Sequence, residues 1–173
     1  VDISADTASL KITLNKSAVY VKDSLTFSGS VNGTRLPLDY SLSSASSDEV
    51  LTGTLDGRFE KTLDVKAFPD GALFLTVTAT DDADKKVSEH AIFIKDTEAP
   101  DVRMVMPANG DKVNGSITAA FTVDEKFGGV KAEYKADDKN SAWKEFPYAS
   151  LSNVVIGSAS EPIGKNMQFR FTD

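Results

Sequence analysis

Apolar residues recur at every second position in short stretches along the whole chain. In the first of these stretches, Leu10, Ile12 and Leu14 alternate with polar residues. Because successive side chains of a β-strand point to opposite faces, this period predicts strands with one buried and one solvated face. The same alternation recurs in the first half at 25–31, 38–42, 59–65, 73–79 and 87–94. Turn-forming pairs such as Asn32-Gly33 separate the stretches, so the pattern predicts an all-β fold built as an antiparallel sandwich.

The second half of the chain repeats the plan of the first. Its alternating stretches lie at 102–106, 117–123, 130–134, 154–156 and 167–171. Two aromatic residues have the same spacing in both halves: Phe27 with Tyr40, and Phe121 with Tyr134. We interpret this as an internal repeat of one domain type. The residues expected to form the two cores include Leu25, Phe27, Tyr40, Leu75, Phe121 and Phe169.

The two halves meet at an acidic joint that carries a proline, Asp96-Thr97-Glu98-Ala99-Pro100-Asp101. Proline has no backbone N–H for a sheet ladder, so it stops strand pairing at this point. A length of 173 residues accommodates two small domains. We therefore predict two tandem antiparallel β-sandwiches, at residues 1–97 and 98–173.

The second copy is expected to lack its last strand. In the first copy, Thr80-Asp81 is followed by a turn and a final strand at 87–94. The matching pair in the second copy, Thr172-Asp173, has no such stretch after it. A sandwich truncated in this way would leave one sheet edge uncovered and open to pairing. We expect the second domain to be the less stable of the two.

Charge and composition exclude several classes of partner. The net charge of -7 and the pI of about 4.7 argue against nucleic-acid binding, which needs a basic face. The sequence has no cysteine, which excludes disulfides and thiolate metal sites. No apolar run approaches the roughly 20 residues that a membrane helix needs, so we expect no membrane insertion in this segment.

The first half resembles tandem bacterial immunoglobulin-like domains (Ig-like or fibronectin III-like) of surface or secreted proteins. The segments that carry the resemblance are Gly57-Arg58-Phe59, Thr62-Leu63-Asp64-Val65 and Leu75-Thr76-Val77-Thr78-Ala79-Thr80-Asp81. The turn Asp82-Ala83-Asp84-Lys85 departs from the Gly-Asn turn common in such families. The resemblance implies an immunoglobulin-like sandwich at the cell surface or outside the cell, in the bacterial envelope.

Two functions are compatible with this resemblance, and neither is enzymatic within the segment. The first is a structural or adhesion module, a spacer or stalk whose partners are neighbouring domains and an unidentified protein or polysaccharide. The alternative is an accessory or carbohydrate-binding module of a larger secreted hydrolase or protease. The lone histidine, His90, lies two residues from Ser88 on one strand face, without the nucleophile elbow of a catalytic triad.

The acids near the joint raise the hypothesis of an interdomain calcium site. Calcium takes six to eight oxygen ligands, and carboxylates from the joint and from two neighbouring loops are expected at the same pole. The candidate ligands are Asp70, Asp96, Glu98, Asp101, Asp124 and Glu125. The joint also resembles the calcium-binding linkers of cadherins. The alternative, which we favour, is that these acids are solvated linker residues and the protein has no cofactor.

Trp143 is the only tryptophan, and Tyr148 lies near it in the sequence. Exposed aromatic rings stack on sugars or anchor partner proteins, so these two residues are the candidate ligand-binding pair. A single large aromatic residue in a small sandwich more often fills the core, and we favour that role for Trp143.

Overall fold

The protein is all-β and consists of two compact units. The computed structural model describes residues 9–112, 115–136, 141–147, 151–157 and 166–172. Unit 1 comprises Val1–Thr97 and unit 2 comprises Glu98–Asp173. The described residues form strands and contain no helix, which confirms that the fold is all-β as predicted. Accordingly, no helix able to span a membrane occurs in this part of the chain.

Unit 1 contains two sheets. Its strands are β1 (Lys11–Lys16), β2 (Tyr20–Val21), β3 (Ser24–Asn32), β4 (Leu38–Ser44), β5 (Val50–Leu55), β6 (Arg58–Asp64), β7 (Gly71–Thr80) and β8 (Lys86–Lys95). The first sheet has the order β1-β3-β6 and the second has the order β2-β8-β7-β4-β5. Neighbouring strands are antiparallel except β2 and β8, which are parallel.

One hydrophobic core lies between the two sheets of unit 1. Phe27 on the first sheet is fully buried, and its ring meets that of Tyr40 on the second sheet edge-on at 6.0 Å. The alternation seen in the sequence is the cause: along β7, Leu73, Leu75, Val77 and Ala79 point inward and are fully buried. Burying these side chains is the main favourable contribution to folding of the unit.

Strands β2 and β5 were not predicted from the sequence. β5 is an edge strand with Gly53 in its middle, and glycine in a strand often marks a close backbone approach. Here the approach is to Tyr40: a β-carbon at position 53 would lie 2.7 Å from atoms of the tyrosine ring. β2 has only two residues and therefore shows no period.

The acidic segment between β7 and β8 is a tight turn. The Asp81 carboxylate (Oδ1) accepts hydrogen bonds from the N–H groups of Ala83 and Lys85, both at 2.9 Å. Asp84 has a φ of 61°, a left-handed conformation that aspartate tolerates better than most residues. These hydrogen bonds give the Asp81 carboxylate a structural role in the turn.

Unit 2 also contains two sheets. Its strands are β9 (Asp101–Met106), β10 (Ile117–Asp124), β11 (Lys131–Ala136), β12 (Lys144–Glu145), β13 (Leu151–Ile156) and β14 (Met167–Thr172). They form antiparallel sheets with the orders β13-β10-β9 and β12-β11-β14. The core is centred on Phe121, whose ring lies 5.0 Å from those of both Phe169 and Phe171.

The two units share one arrangement of strands. In unit 1, β3 lies between β1 and β6, and β4 pairs with β7. In unit 2, β10 lies between β9 and β13 in the same way, and β11 pairs with β14. They differ at one edge, because β7 also pairs with β8, whereas β14 pairs only with β11 among the described strands. Phe169 on β14 is half-buried, although it was predicted to be a core residue.

Candidate functional site

An early strand of unit 1 pairs in parallel with the last strand of the unit. Tyr20 is aligned with Ile94, and Val21 is aligned with Lys95. The N–H of Ile94 donates to the carbonyl of Val19 at 2.8 Å, and the N–H of Asp96 donates to the carbonyl of Val21 at 2.9 Å. The two strands therefore run side by side in the same direction. A force applied to the N-terminal end of β2 and the C-terminal end of β8 would slide one strand along the other.

Three side chains fasten the end of β8, and we call them the boundary clamp: Asp70, Lys95 and Thr97. The ammonium of Lys95 donates to Oδ1 of Asp70 at 3.1 Å. The N–H and the hydroxyl of Thr97 donate to Oδ2 of the same carboxylate at 3.0 and 2.7 Å. Only 7% of the Lys95 side chain and 18% of the Asp70 side chain are exposed. The clamp thus ties the exit of unit 1 to the start of β7.

The clamp keeps Asp70 ionised. Burial by itself would raise the pKa of the Asp70 carboxyl, since it disfavours the charged form. The hydrogen bonds from Thr97 and the hydrogen bond and positive charge of Lys95 act in the opposite direction and together hold the pKa below its ordinary value. The carboxylate is therefore charged at neutral pH and engaged by three donors.

The six acids of the calcium hypothesis are divided between the units, with Asp70 and Asp96 in unit 1 and Glu98, Asp101, Asp124 and Glu125 in unit 2. Asp96 is 3% exposed. Asp101 pairs with Arg103 at 3.2 Å, and Glu125 accepts the N–H of Phe127 at 3.1 Å. Within the described ranges, no group of three or more acids or histidines is placed to hold a metal ion. The calcium site stays a hypothesis, and the favoured alternative, solvated linker acids without a cofactor, stays a prediction.

Trp143 is half-buried and lies beside two cations. The guanidinium carbon of Arg170 is 4.2 Å from the centre of the indole ring, and Nζ of Lys135 is 5.0 Å from it. Both distances are within the range of a cation–π interaction. The preferred role of Trp143 as a core residue is wrong, because the side chain is only half-buried, and the buried aromatic residues in the described part of unit 2 are Phe121 and Phe146. Tyr148, the second candidate, lies outside the described residues.

A buried carboxylate holds Arg170 in place next to Trp143. Oε2 of Glu133 accepts from Nη2 of Arg170 at 2.6 Å, and its Oε1 accepts from Nζ of Lys131 at 2.9 Å. The hydrogen bond from Lys131 and then that from Arg170 lower the pKa of Glu133 below its ordinary value. Sequence reasoning missed this group, although Lys131, Glu133 and Lys135 alternate along one strand face.

His90 lies on the outer face of the second sheet of unit 1. Its Nδ1 is 3.0 Å from the hydroxyl of Thr76 on the neighbouring strand. Ser88, on the same face, bonds to Thr78 at 2.8 Å. Both residues thus take part in cross-strand polar pairs, which are an ordinary means of sheet stabilisation.

The comparisons with known proteins assign no family. No protein-family model and no curated protein matches the chain. A solved structure of a 1.5-MDa bacterial ice-binding adhesin, studied for its retention at the host cell surface, is similar to it with a TM-score of 0.37 and 15% identity. The match covers 86% of this chain and 54% of that chain, so this chain spans about half the length of its structural neighbour.

Proposed function

We propose that this chain is a non-catalytic structural or adhesion segment of a bacterial surface protein, in which tandem modules form a spacer that carries tension. Each unit would be an immunoglobulin-like sandwich. The strand orders β1-β3-β6 and β2-β8-β7-β4-β5 support this assignment for unit 1, because they correspond to the two-sheet arrangement of such domains. Unit 2 has the same arrangement without a counterpart of β8 among its described strands.

The observation that carries the proposal is the parallel pairing of β2 with β8. Tension on a spacer enters unit 1 ahead of β2 and leaves it after β8. Because the two strands are parallel, the force acts along them, and their hydrogen bonds are stretched together rather than one after another. The boundary clamp adds the bonds of Asp70 to Lys95 and Thr97 at the point where the force leaves.

Single-molecule pulling tests this function directly. The chain contains no cysteine, so handles are attached at introduced cysteines without interference. Anchors at Ser17 and Glu98 lie at opposite ends of the β2–β8 pair and stretch it lengthwise. Moving the first anchor to Asp23 places both anchors at the C-terminal end of the strand pair. The strands are then pulled apart from that end, and their hydrogen bonds break one after another. We expect unfolding at clearly higher force in the lengthwise arrangement.

One control variant tests whether the boundary clamp contributes to the unfolding force. The variant Thr97→Val removes one hydroxyl of the clamp, and we expect it to lower the lengthwise unfolding force. Equal forces for the two anchor arrangements would rule out a tension-bearing role for the pair.

The alternative, a carbohydrate-binding accessory module, is supported by Trp143. Its side chain is half-buried, so part of it is accessible to solvent, and exposed aromatic rings stack on sugar rings. Retention of the chain on insoluble polysaccharides, with loss of retention in Trp143→Ala, would favour this function over the spacer.

A further inference from the structure

Unit 2 has a cleft that combines aromatic side chains with a cation. The cleft has a volume of about 590 Å³, and small-molecule sites in proteins measure roughly 300–1,000 Å³. Its walls are mostly apolar and include Trp143, Phe169 and Met104. Among the described residues that line it, Arg170 is the only charged one. The cleft is therefore complementary to a ligand that has both an apolar surface and a negative charge.

Glu133 holds the guanidinium of Arg170 from one side. Oε2 of Glu133 accepts from Nε of Arg170 at 2.9 Å and from Nη2 at 2.6 Å. A guanidinium has five N–H groups in a planar fork, so this contact leaves the two N–H groups of Nη1 and the second one of Nη2 directed away from Glu133. The Arg170 side chain is 44% exposed. Arg170 is thus fixed in orientation and can still donate to a second carboxylate.

The charged side chains next to the cleft carry a surplus of positive charge. Arg170 and Lys135 both lie within cation–π distance of the tryptophan ring, at 4.2 and 5.0 Å from its centre. Glu133 is shared by Arg170 and Lys131, and Lys131 also lies 3.8 Å from Glu145. Three cations thus meet two acids in this group, although the net charge of the whole chain is -7. The local charge favours an anionic ligand.

We propose that this cleft binds a uronic acid residue of an acidic polysaccharide. The sugar carboxylate accepts the outward N–H groups of Arg170, and Lys135 adds positive charge beside it. The pyranose ring packs its apolar C–H groups against the aromatic walls formed by Trp143 and Phe169. The inference rests on the carbohydrate-binding alternative described above, for which it names the ligand class, and it is independent of the tension-bearing role of unit 1.

The test titrates the complete chain with an oligogalacturonate and with its methyl ester, which has the same sugar rings and linkages without the charge. Trp143 is the only tryptophan and lines the cleft, so its emission reports binding without a label. We expect a saturable change in emission with the oligogalacturonate and affinity for the ester that is lower by roughly tenfold or more. Because the charges are partly exposed, added salt should weaken the binding of the acid.

Matched variants locate the binding site. Arg170→Lys keeps a positive charge for Glu133 but removes the planar fork, and we expect it to weaken oligogalacturonate binding roughly tenfold. Lys135→Gln removes a cation that makes no ion pair with Glu133, and we expect weaker binding there too. Lys126→Gln is the control, because it removes the same charge beside the ring of Phe127 and should leave binding unchanged. Hydrogen exchange of the β10 amides establishes that unit 2 remains folded in each variant.

Four outcomes would overturn the proposal. Equal affinity for the acid and its methyl ester would refute the uronate class and leave the carbohydrate-binding alternative in place. No saturable response to either sugar up to about 1 mM would refute both. An equal response to a polyglutamate peptide would show that charge alone decides binding. Unchanged affinity in both Arg170→Lys and Lys135→Gln would place the bound sugar elsewhere on the chain.

Discussion

Thr97 binds Asp70 through two donors, its backbone N–H at 3.0 Å and its hydroxyl at 2.7 Å, both to Oδ2. The two residues are distant in sequence, and the contact joins the end of β8 to the start of β7. Lys95 occupies the remaining oxygen of the carboxylate at 3.1 Å. The C-terminal exit of unit 1 is therefore fixed by side chains as well as by the sheet, which is the property a spacer needs.

Asp70→Asn should destabilise unit 1 at neutral pH by about 1.5–3 kcal/mol, the usual contribution of hydrogen bonds to a charged group. Lys95 would then be left buried with its partner uncharged. Hydrogen exchange of the β7 amides measures the effect on unit 1 alone. Asp82→Asn, the same substitution at an exposed position in the turn before β8, is the control and should change little.

The clamp also predicts how the stability of unit 1 depends on pH. The pKa of Asp70 is lower in the folded protein than in the unfolded chain. Its stabilising effect is therefore complete above the unfolded pKa of about 3.9 and is lost as the pH falls through the folded value. We expect the acid-induced loss of stability to be smaller in Asp70→Asn than in the wild type. Parallel curves for the two proteins below pH 4 would contradict this role of Asp70.

Gly53→Ala should destabilise unit 1 because the ring of Tyr40 occupies the space that a β-carbon needs. The contact of 2.7 Å is too short for any β-carbon, so the ring or the edge strand must shift, at about 1–3 kcal/mol. Gly57→Ala is the matched control, since the nearest atom there is Val31 Cγ1 at 3.8 Å. Urea unfolding followed by circular dichroism measures both variants, and equal midpoints would show that the sheet adjusts without cost.

Phe27→Ala should be among the most damaging substitutions in unit 1. The side chain is fully buried between the sheets and meets Tyr40 and Phe59 edge-on at 6.0 Å. Its removal leaves a cavity and should cost about 3–5 kcal/mol. Phe74→Ala removes the same ring from the outer face, where the residue is 39% exposed, and should cost much less. A melting temperature unaffected by Phe27→Ala would contradict the core assignment.

The sequence predicted the parts of the fold that depend on alternation. The strands that contain Phe27, Tyr40 and Leu75 were located because their buried faces repeat with period two. β2 and β5 escaped detection, since one is too short for a period and the other is interrupted by Gly53. Edge strands bury fewer side chains, so their pattern is weaker in general.

The candidate sites were less predictable because they depend on contacts between residues distant in sequence. Asp70 was singled out as a calcium ligand, but its proximity to Lys95 and Thr97 follows from the pairing of β7 with β8. The bond between Glu133 and Arg170 likewise follows from the register of β11 with β14. The composition of the chain and the spacing of its residues do not specify which residues of two paired strands lie opposite each other.

The calcium hypothesis is the last prediction, and we expect calcium to leave the stability of the chain unchanged. Of the six candidate ligands, Asp70 already accepts three hydrogen bonds, and Asp101 and Glu125 have partners of their own. An ion would have to displace the ammonium of Lys95 from Asp70 before using that carboxylate. Thermal melts with millimolar calcium and with EDTA, together with titration calorimetry, measure the effect. A rise in melting temperature with calcium that disappears in Asp124→Asn would establish the site and refute the solvated-linker interpretation.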